Sequence, residues 1–353
     1  MLPSNSFGTS QNKILGKEGG IMILVQSPYR VSLFGGGTDY PEWFREHGGC
    51  VLGMAIDRYC YVGLKRLPPL YDFKFRVAYQ RVEDCNSVAE IQHPAVRGVL
   101  EHFKYSGKGL ELHHAGDLPA RAGLGASSSF VVGLVHAMHA LELDMFVSPV
   151  ALAREATHVE RNVIGETVGY QDQVFAAHGG FLFLEFNHDD TVTVRSVALP
   201  GKRREELEAS LVLVYTGTMR DAHVMAAQQI KEIKKNGLRL RLAELADLAR
   251  EAFYTTLKVP GVSLSQVGYR LNDAWQIKRR LCEGITDSNI DALYEHGLRC
   301  GALGGKLLGA GGGGFMLFFV PPEHRTQFEE KIGATCVGCK ISDTGSRILL
   351  NQP

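Results

Sequence analysis

One stretch of the sequence has the residue types needed to hold a phosphate group. Residues 119–129 read Pro-Ala-Arg-Ala-Gly-Leu-Gly-Ala-Ser-Ser-Ser and lead into an apolar segment. Gly123 and Gly125 would let backbone N–H groups turn inward without a side-chain clash. The unpaired N–H groups that begin the following helix would face the same anion, together with the positive end of the helix dipole. A simpler interpretation, in which Ser127 or Ser128 only caps the helix, fits these residues as well.

The spacing argues against two better-known nucleotide-binding loops. The chain has no Gly-x-x-x-x-Gly-Lys-Ser/Thr segment, which excludes a P-loop. Gly123-x-Gly125 is followed by Ser128 where a dinucleotide fingerprint has its third glycine, so a Rossmann-type site is disfavoured. Residues elsewhere in the chain therefore have to support the phosphate interpretation.

The periodicity of the sequence places this loop between a strand and a helix. Residues 109–114 alternate as a strand does, and Val131, Leu134 and their neighbours recur at helical spacing. Near the start, residues 21–26 and 29–34 are predicted to be two strands. A strand, a glycine loop and a helix in this order form a layout that can hold phosphate.

Three distant segments resemble motifs of the GHMP small-molecule kinases, the family that includes galactokinase and mevalonate kinase. Residues 123–128 are similar to its phosphate loop. Residues 27–40, Ser-Pro-Tyr-Arg-Val-Ser-Leu-Phe-Gly-Gly-Gly-Thr-Asp-Tyr, match its first motif. Residues 306–315, Lys-Leu-Leu-Gly-Ala-Gly-Gly-Gly-Gly-Phe, match its third. The three segments occur in the family's order and span nearly the whole chain, which makes the resemblance specific.

The resemblance implies an α+β fold of two domains with the active site between them. Residues 21–203 would form an N-terminal ATP-binding domain similar to domain 2 of ribosomal protein S5. Residues 204–353 would form a ferredoxin-like C-terminal α/β sandwich, and a turn with charges at 200–204 marks the boundary. Residues 1–20 are polar and glycine-rich and lack the apolar core of a signal peptide, so we expect a flexible leader.

An aspartate stands among glutamines at residues 169–173, Gly-Tyr-Gln-Asp-Gln. Alone it would indicate a turn or a helix cap. In GHMP kinases the Gly-x-x-Asp-Gln pattern carries the catalytic aspartate, so the resemblance implies that Asp172 accepts the proton of the attacking hydroxyl. Arg30, otherwise a strand-edge or salt-bridged residue, would by resemblance lie beside Asp172 and neutralise charge on the transferred phosphoryl group.

The resemblance implies ATP and Mg²⁺ as cofactors. The Ser127 hydroxyl and Glu160 would hold Mg²⁺, a hard ion that takes carboxylate, hydroxyl, water and phosphate oxygens. Without the resemblance, Glu160 would be an ordinary solvated or paired residue beside an apolar helix stripe. The residues expected to bind the nucleotide phosphates are Gly123, Leu124, Gly125, Ala126, Ser127 and Ser128.

An acceptor site is implied around the first motif. Asp39 would accept hydrogen bonds from sugar hydroxyls, or would simply cap a short helix. Galactokinase has Glu-His where this chain has Gly36 and Gly37, so we expect a roomier pocket that reads its ligand partly through backbone N–H groups, as phosphate sites often do. Arg220 is a candidate contact for a substrate phosphate, or an exposed surface arginine. The residues expected at the acceptor are Gly36, Gly37, Thr38, Asp39, Arg220, Gly312 and Gly313.

Within the family, the combination of residues 34–41, 169–173 and 304–315 is most similar to members that phosphorylate the anomeric hydroxyl of a seven-carbon sugar phosphate. An anomeric kinase of an unphosphorylated sugar such as fucose is one alternative, and a catalytically silent sugar-sensing member is another. The presence of Arg30, Ser127, Glu160 and Asp172 favours an enzyme.

The composition argues against other kinds of partner. Thirty-eight basic residues balance 38 acidic ones, which does not suggest a surface for nucleic acid or membranes. The apolar runs are far short of a membrane span. Seven scattered cysteines suit a reducing compartment, so we expect a cytoplasmic protein. The expected partner is a small-molecule sugar phosphate, and a homodimer is left open.

Overall fold

The computed structural model describes residues 21–106, 108–143, 145–219, 222–235 and 237–352. The strands are β1 (Met22–Phe34), β2 (Gly49–Leu67), β3 (Phe75–Ala78), β4 (Val82–Cys85), β5 (Gly109–Gly116), β6 (Phe181–Phe186), β7 (Val192–Ser196), β8 (Leu211–Tyr215), β9 (Gly304–Leu307), β10 (Phe315–Phe319), β11 (Cys336–Gly338) and β12 (Arg347–Gln352). The helices are α1 (Pro41–His47), α2 (Pro94–His102), α3 (Ala126–Glu142), α4 (Pro149–His158), α5 (Gln171–His178), α6 (Gly201–Ser210), α7 (Ala222–Lys234), α8 (Arg239–Glu251), α9 (Ser265–Lys278), α10 (Ser288–Arg299) and α11 (Arg325–Lys331).

The larger sheet carries the first half of the chain. Its strand order is β12-β1-β2-β5-β3-β4, with β6 paired to β2 and β7 paired to β6. The β3–β5 pair is parallel, whereas β1 and β2 run antiparallel. Helix α3 packs against β1 and β2, and it is apolar around most of its circumference because it is buried on several sides. This packing holds α3, and with it the glycine loop that precedes the helix, against strands β1 and β2.

The two strands predicted for residues 21–34 form one strand, β1. It stays paired with β2 along its whole length, but the register shifts between Pro28 and Tyr29 and again between Ser32 and Phe34. A proline has no N–H for the ladder, so an irregularity at this point lets the strand bend without ending. Arg30 therefore lies within a buried strand rather than in a loop between two strands.

The second sheet has the strand order β11-β8-β10-β9, and all of its pairs are antiparallel. Numbered within this half of the chain, the order is fourth, first, third, second, which is the ferredoxin-like arrangement. Helices α9 and α10 pack on this sheet. The two-domain α+β fold expected from the resemblance is therefore confirmed.

The chain returns to the first sheet at its end. Strand β12 pairs with β1, with Met22 opposite Gln352, so a C-terminal domain made of all of residues 204–353 is wrong for this last strand. Without β12, the backbone groups of β1 would form an open sheet edge. Residues 201–204, predicted as part of a turn, open helix α6 instead. The remainder of the predicted boundary stays a prediction.

Two of the predicted features, the leader at residues 1–20 and Arg220, lie outside the described residues. In the part of the chain that the structure describes, no helix combines the length and the apolar character needed to cross a bilayer. All seven cysteines are free thiols.

Candidate active site

Arg30 and Asp172 form a bidentate ion pair. The Nε and Nη2 atoms of Arg30 donate to the two carboxylate oxygens of Asp172, each at 2.7 Å. The arginine side chain is only 7% exposed and the aspartate 23%, so one partner is buried while the other reaches the surface. A fixed fork of this kind holds a carboxylate in one orientation. The structure thus brings together the two residues that the resemblance assigned to catalysis.

The same arginine fastens the glycine loop. Its Nη1 atom donates to the Gly123 carbonyl at 2.6 Å, and its backbone N–H donates to the Leu124 carbonyl at 2.9 Å. A Cβ atom on Gly125 would lie 3.2 Å from Asp172 Oδ2. The loop therefore lies beside the carboxylate, with no room for a side chain at residue 125 between them.

Helix α3 begins without a side-chain cap. Its N-cap residue is Gly125, in the left-handed region at φ 73°. Ser127 is exposed in the first turn, whereas Ser128 and Ser129 are buried and bond elsewhere. The simpler interpretation of the serines as caps is therefore wrong, and the first N–H groups of α3 remain available to an anion.

The third motif packs directly on the glycine loop. A Cβ atom on Gly309 would lie 2.6 Å from the Cα of Gly123, and one on Gly314 would lie 2.4 Å from the Ala122 carbonyl. The Phe315 N–H donates to that same carbonyl at 3.1 Å. Backbone can approach backbone this closely only where side chains are absent, so these glycines join the two halves of the site.

Gly312 and Gly313, which were expected at the acceptor, have their close contacts elsewhere. The Gly312 N–H donates to the Ile285 carbonyl at 2.9 Å. A Cβ atom on Gly313 would lie 2.7 Å from the Thr218 carbonyl. Their conformations serve packing within the second half of the chain, and contact with an acceptor stays a prediction for both.

Two buried lysines, for which no sequence pattern predicts a role, support the third motif. Lys278 donates to the carbonyls of Leu307 and Gly309, each at 2.6 Å, and Lys306 donates to the Leu33 carbonyl at 3.0 Å. Burial lowers the pKa of Lys306 to about 7 and lowers that of Lys278 well below its usual value, and the neighbouring cations add to both effects. Lys278 ends an ordinary amphipathic helix, so only its tertiary contacts distinguish it.

Asp39, which the resemblance assigned to the acceptor, is buried near Asp172. Its carboxylate accepts from the Gly37 N–H at 3.0 Å and the Gln171 N–H at 3.4 Å. Burial, and next the charge of Asp172, raise the pKa of Asp39. The Thr38 hydroxyl instead bonds to backbone carbonyls of the fold, so its side chain braces the loop and does not face an acceptor.

Glu160 is fully buried at the start of a π-helical turn, Val159–Ile164. Ser128 Oγ donates to its Oε1 atom at 3.0 Å, and Gln173 Nε2 donates to Oε2. The hydroxyl paired with Glu160 is therefore that of Ser128, whereas the expected metal partner, Ser127, lies exposed one residue earlier. Burial is the main cause that raises the pKa of Glu160 to about 8.

Replacing Glu160 by glutamine is expected to raise the melting temperature relative to wild type, and more so as the pH rises from 5 to 8. In this interval the folded protein retains a proton that the unfolded chain releases, so the free energy of unfolding of the wild type falls as the pH rises toward the folded pKa of about 8. Glutamine has nearly the same shape as the protonated side chain of Glu160, but it has no carboxyl proton to lose in this pH range. Thermal scans at several pH values with chelator present measure the difference.

The surface substitution Glu323→Gln is the control, because it changes the same functional groups at an exposed position. A Glu160→Gln difference in melting temperature that stays constant between pH 5 and pH 8 would contradict the assigned pKa shift.

Two segments of the chain match family models. Residues 92–180 match the N-terminal domain of the GHMP kinases, and residues 263–338 match their C-terminal domain. The first segment contains the glycine loop, Glu160 and Asp172, and the second contains both buried lysines.

Known proteins are similar over most of the chain. D-glycero-alpha-D-manno-heptose 7-phosphate kinase from Campylobacter jejuni is 29% identical over 86% of this chain and 91% of its own length. The bifunctional fucokinase/GDP-fucose pyrophosphorylase of Arabidopsis thaliana is 26% identical over 86% of this chain and 30% of its own length. The crystal structure of a D-glycero-D-manno-heptose 1-phosphate kinase from Bacteroides thetaiotaomicron superposes with a TM-score of 0.69 at 23% identity, covering 93% of this chain and 99% of that one.

The fold and these matches define a phosphotransferase that acts on an alcohol group of a small molecule. The chain contains the N- and C-terminal domains of the GHMP kinases, and it is a sugar kinase.

Proposed function

We propose that this enzyme transfers the γ-phosphate of ATP to the anomeric hydroxyl of D-glycero-D-manno-heptose 7-phosphate. The product would be the 1,7-bisphosphate, on the way to nucleotide-activated heptose for surface polysaccharide. The observation that carries transfer is the Arg30–Asp172 pair seated against the glycine loop. The choice of acceptor is supported by the similarity to the Campylobacter jejuni kinase, which is named for this substrate.

Asp172 is the proton acceptor in this proposal. Each of its oxygens accepts one bond from Arg30 and keeps a further lone pair, so the acceptor hydroxyl can bond to the partly exposed side of the carboxylate. Arg30 orients the carboxylate and offsets charge on the transferred group. Catalysis then consists mainly of positioning and charge neutralisation.

ATP would lie with its phosphates on residues 123–128, against the free N–H groups of α3. Among the described residues, no three His, Cys, Asp or Glu side chains form a metal site on their own. Mg²⁺ commonly takes one or two carboxylates and completes its shell with nucleotide phosphates and water. Glu160 would be the carboxylate in this proposal. The hydroxyl next to Glu160 is that of Ser128, so Ser127 as the second protein ligand rests on the resemblance alone. The ion would supply charge neutralisation to the phosphates. Ser128 and Gln173 would orient Glu160, which has to lose its proton first.

A panel of acceptors tests the choice of substrate. ADP release is measured with heptose 7-phosphate, free heptose, galactose, fucose and mevalonate, and we expect the highest kcat/KM with heptose 7-phosphate. Activity on free hexoses alone would overturn the heptose phosphate proposal while leaving the sugar kinase assignment intact. The same panel measures the fucokinase alternative, which the Arabidopsis thaliana relative favours.

A catalytically silent sugar-binding protein is the second alternative. The bidentate Arg30–Asp172 pair argues for catalysis, because a binding protein has no need of a carboxylate held against a phosphate loop. The seven free thiols support the cytoplasmic location that we propose, and sedimentation of the purified enzyme tests for a homodimer.

A further inference from the structure

We propose that Ser32 and Gln171 bind hydroxyl groups of the acceptor sugar above Gly36 and so contribute to the choice of acceptor. This inference rests on the proposed function, because it takes the acceptor to be a sugar bound beside Asp172. Neither side chain stands out in the sequence.

Two buried polar atoms on the acceptor side have no hydrogen-bond partner among the described residues. They are Ser32 Oγ and Gln171 Oε1. The two residues are 6% and 8% exposed, so bulk water does not satisfy these atoms. Buried polar atoms in native proteins are nearly always paired, and an exception at a binding site indicates a partner that arrives with the ligand or an ordered water that the ligand displaces.

Both side chains face the same glycine. A Cβ atom on Gly36 would lie 3.3 Å from Ser32 Oγ and 3.9 Å from Gln171 Nε2. Ser32 follows Arg30 by two residues on β1, which places the two side chains on one face of the strand. Gln171 precedes Asp172 in the first turn of α5. Each of the two residues is thus close in sequence to one member of the ion pair, and both side chains lie beside residue 36, which has no side chain of its own.

The groups around Gly36 suit hydroxyl donors better than a phosphate. The backbone N–H of Gln171 donates to Asp39 at 3.4 Å, and the side-chain Oε1 atom of Gln171 is an acceptor without a donor among the described residues. The Gly37 N–H, expected to read a phosphate, already donates to Asp39. Carboxylate and amide oxygens accept from O–H groups and repel phosphate oxygens, so the polyol part of the acceptor lies here and any phosphate it carries lies elsewhere.

Ser32→Ala is expected to raise the KM for the acceptor by about 3- to 10-fold, the effect of one neutral hydrogen bond. The KM for ATP should stay the same, and the melting temperature should stay the same or rise, because the variant removes an unpaired buried hydroxyl. Gln171→Met is expected to behave likewise. Each variant should also discriminate less than wild type between the acceptor and one of its monodeoxy analogues.

Gly36→Ala and Ser27→Ala complete the set. The first places a methyl group in the space that we assign to the hydroxyls, so it should raise the acceptor KM. The second removes a buried serine of the same strand whose Oγ bonds to Ser346 at 2.9 Å, so it should lower the melting temperature and leave the acceptor KM unchanged.

The outcomes separate the two proposals. A wild type that is active on a sugar, with Ser32→Ala and Gln171→Met unchanged in acceptor KM, overturns this inference alone. This inference alone is also overturned if both variants, like Ser27→Ala, lower the melting temperature and leave the acceptor KM unchanged. A wild type that phosphorylates no sugar overturns the proposed function, and this inference with it.

Discussion

The Asp172→Asn enzyme is expected to lose about 10²- to 10⁴-fold in kcat, the usual contribution of a positioned general base. The amide keeps the shape of the carboxylate but cannot take up the proton of the attacking hydroxyl. It also leaves the buried Arg30 guanidinium without the charged partner it has in two hydrogen bonds. Initial rates at saturating acceptor and ATP measure the loss, and binding of ATP to the variant should be nearly unchanged.

Asp190→Asn is the matched control for this prediction. Asp190 also accepts two bonds of 2.7 Å from an arginine, Arg45, but that pair is exposed and lies outside the site. Exposed pairs contribute little to stability, so its kcat and melting temperature should stay close to wild type. Near-normal turnover by Asp172→Asn with ATP still bound would show that another group accepts the proton.

Gly123→Ala is expected to lower kcat/KM by about 10²-fold, the effect of displacing reacting groups by roughly 1 Å. The residue has φ 80°, where a side chain is strained, and its Cβ atom would lie 2.7 Å from the Leu308 carbonyl. Since this contact is with backbone, the loop and the third motif must move apart. The Gly123 carbonyl that holds Arg30 moves with them. Steady-state kinetics with ATP and acceptor varied in turn measure the effect.

Gly201→Ala is the control for the glycine loop. Gly201 opens helix α6, and a Cβ atom there would meet nothing within 4 Å. Alanine is a better helix former than glycine, so the stability of this variant should equal or exceed that of wild type and its kinetics should not change. If Gly123→Ala were as active as Gly201→Ala, the close packing of the two glycine segments would have no part in catalysis.

The sequence alone was enough to identify the family, the fold class and the residues that meet at the ion pair. The glycines at 123 and 125 and the Asp-Gln dipeptide at 172 occur in local patterns that are readable residue by residue. Local patterns are informative here because a sharp backbone turn allows few residue types. A few consecutive residues are therefore enough to predict such a turn and the groups that it presents.

Only the tertiary structure decided which groups pair with one another. It joined Glu160 to Ser128 rather than leaving it beside Ser127, and it paired β12 with the first sheet. It also buried Lys278 beneath the third motif and left the Ser32 hydroxyl without a hydrogen-bond partner in the described part of the chain. These outcomes depend on contacts between residues far apart in the chain and on how each side chain is buried. A one-dimensional pattern records periodicity and local turns, but not which distant group fills the space beside a given atom.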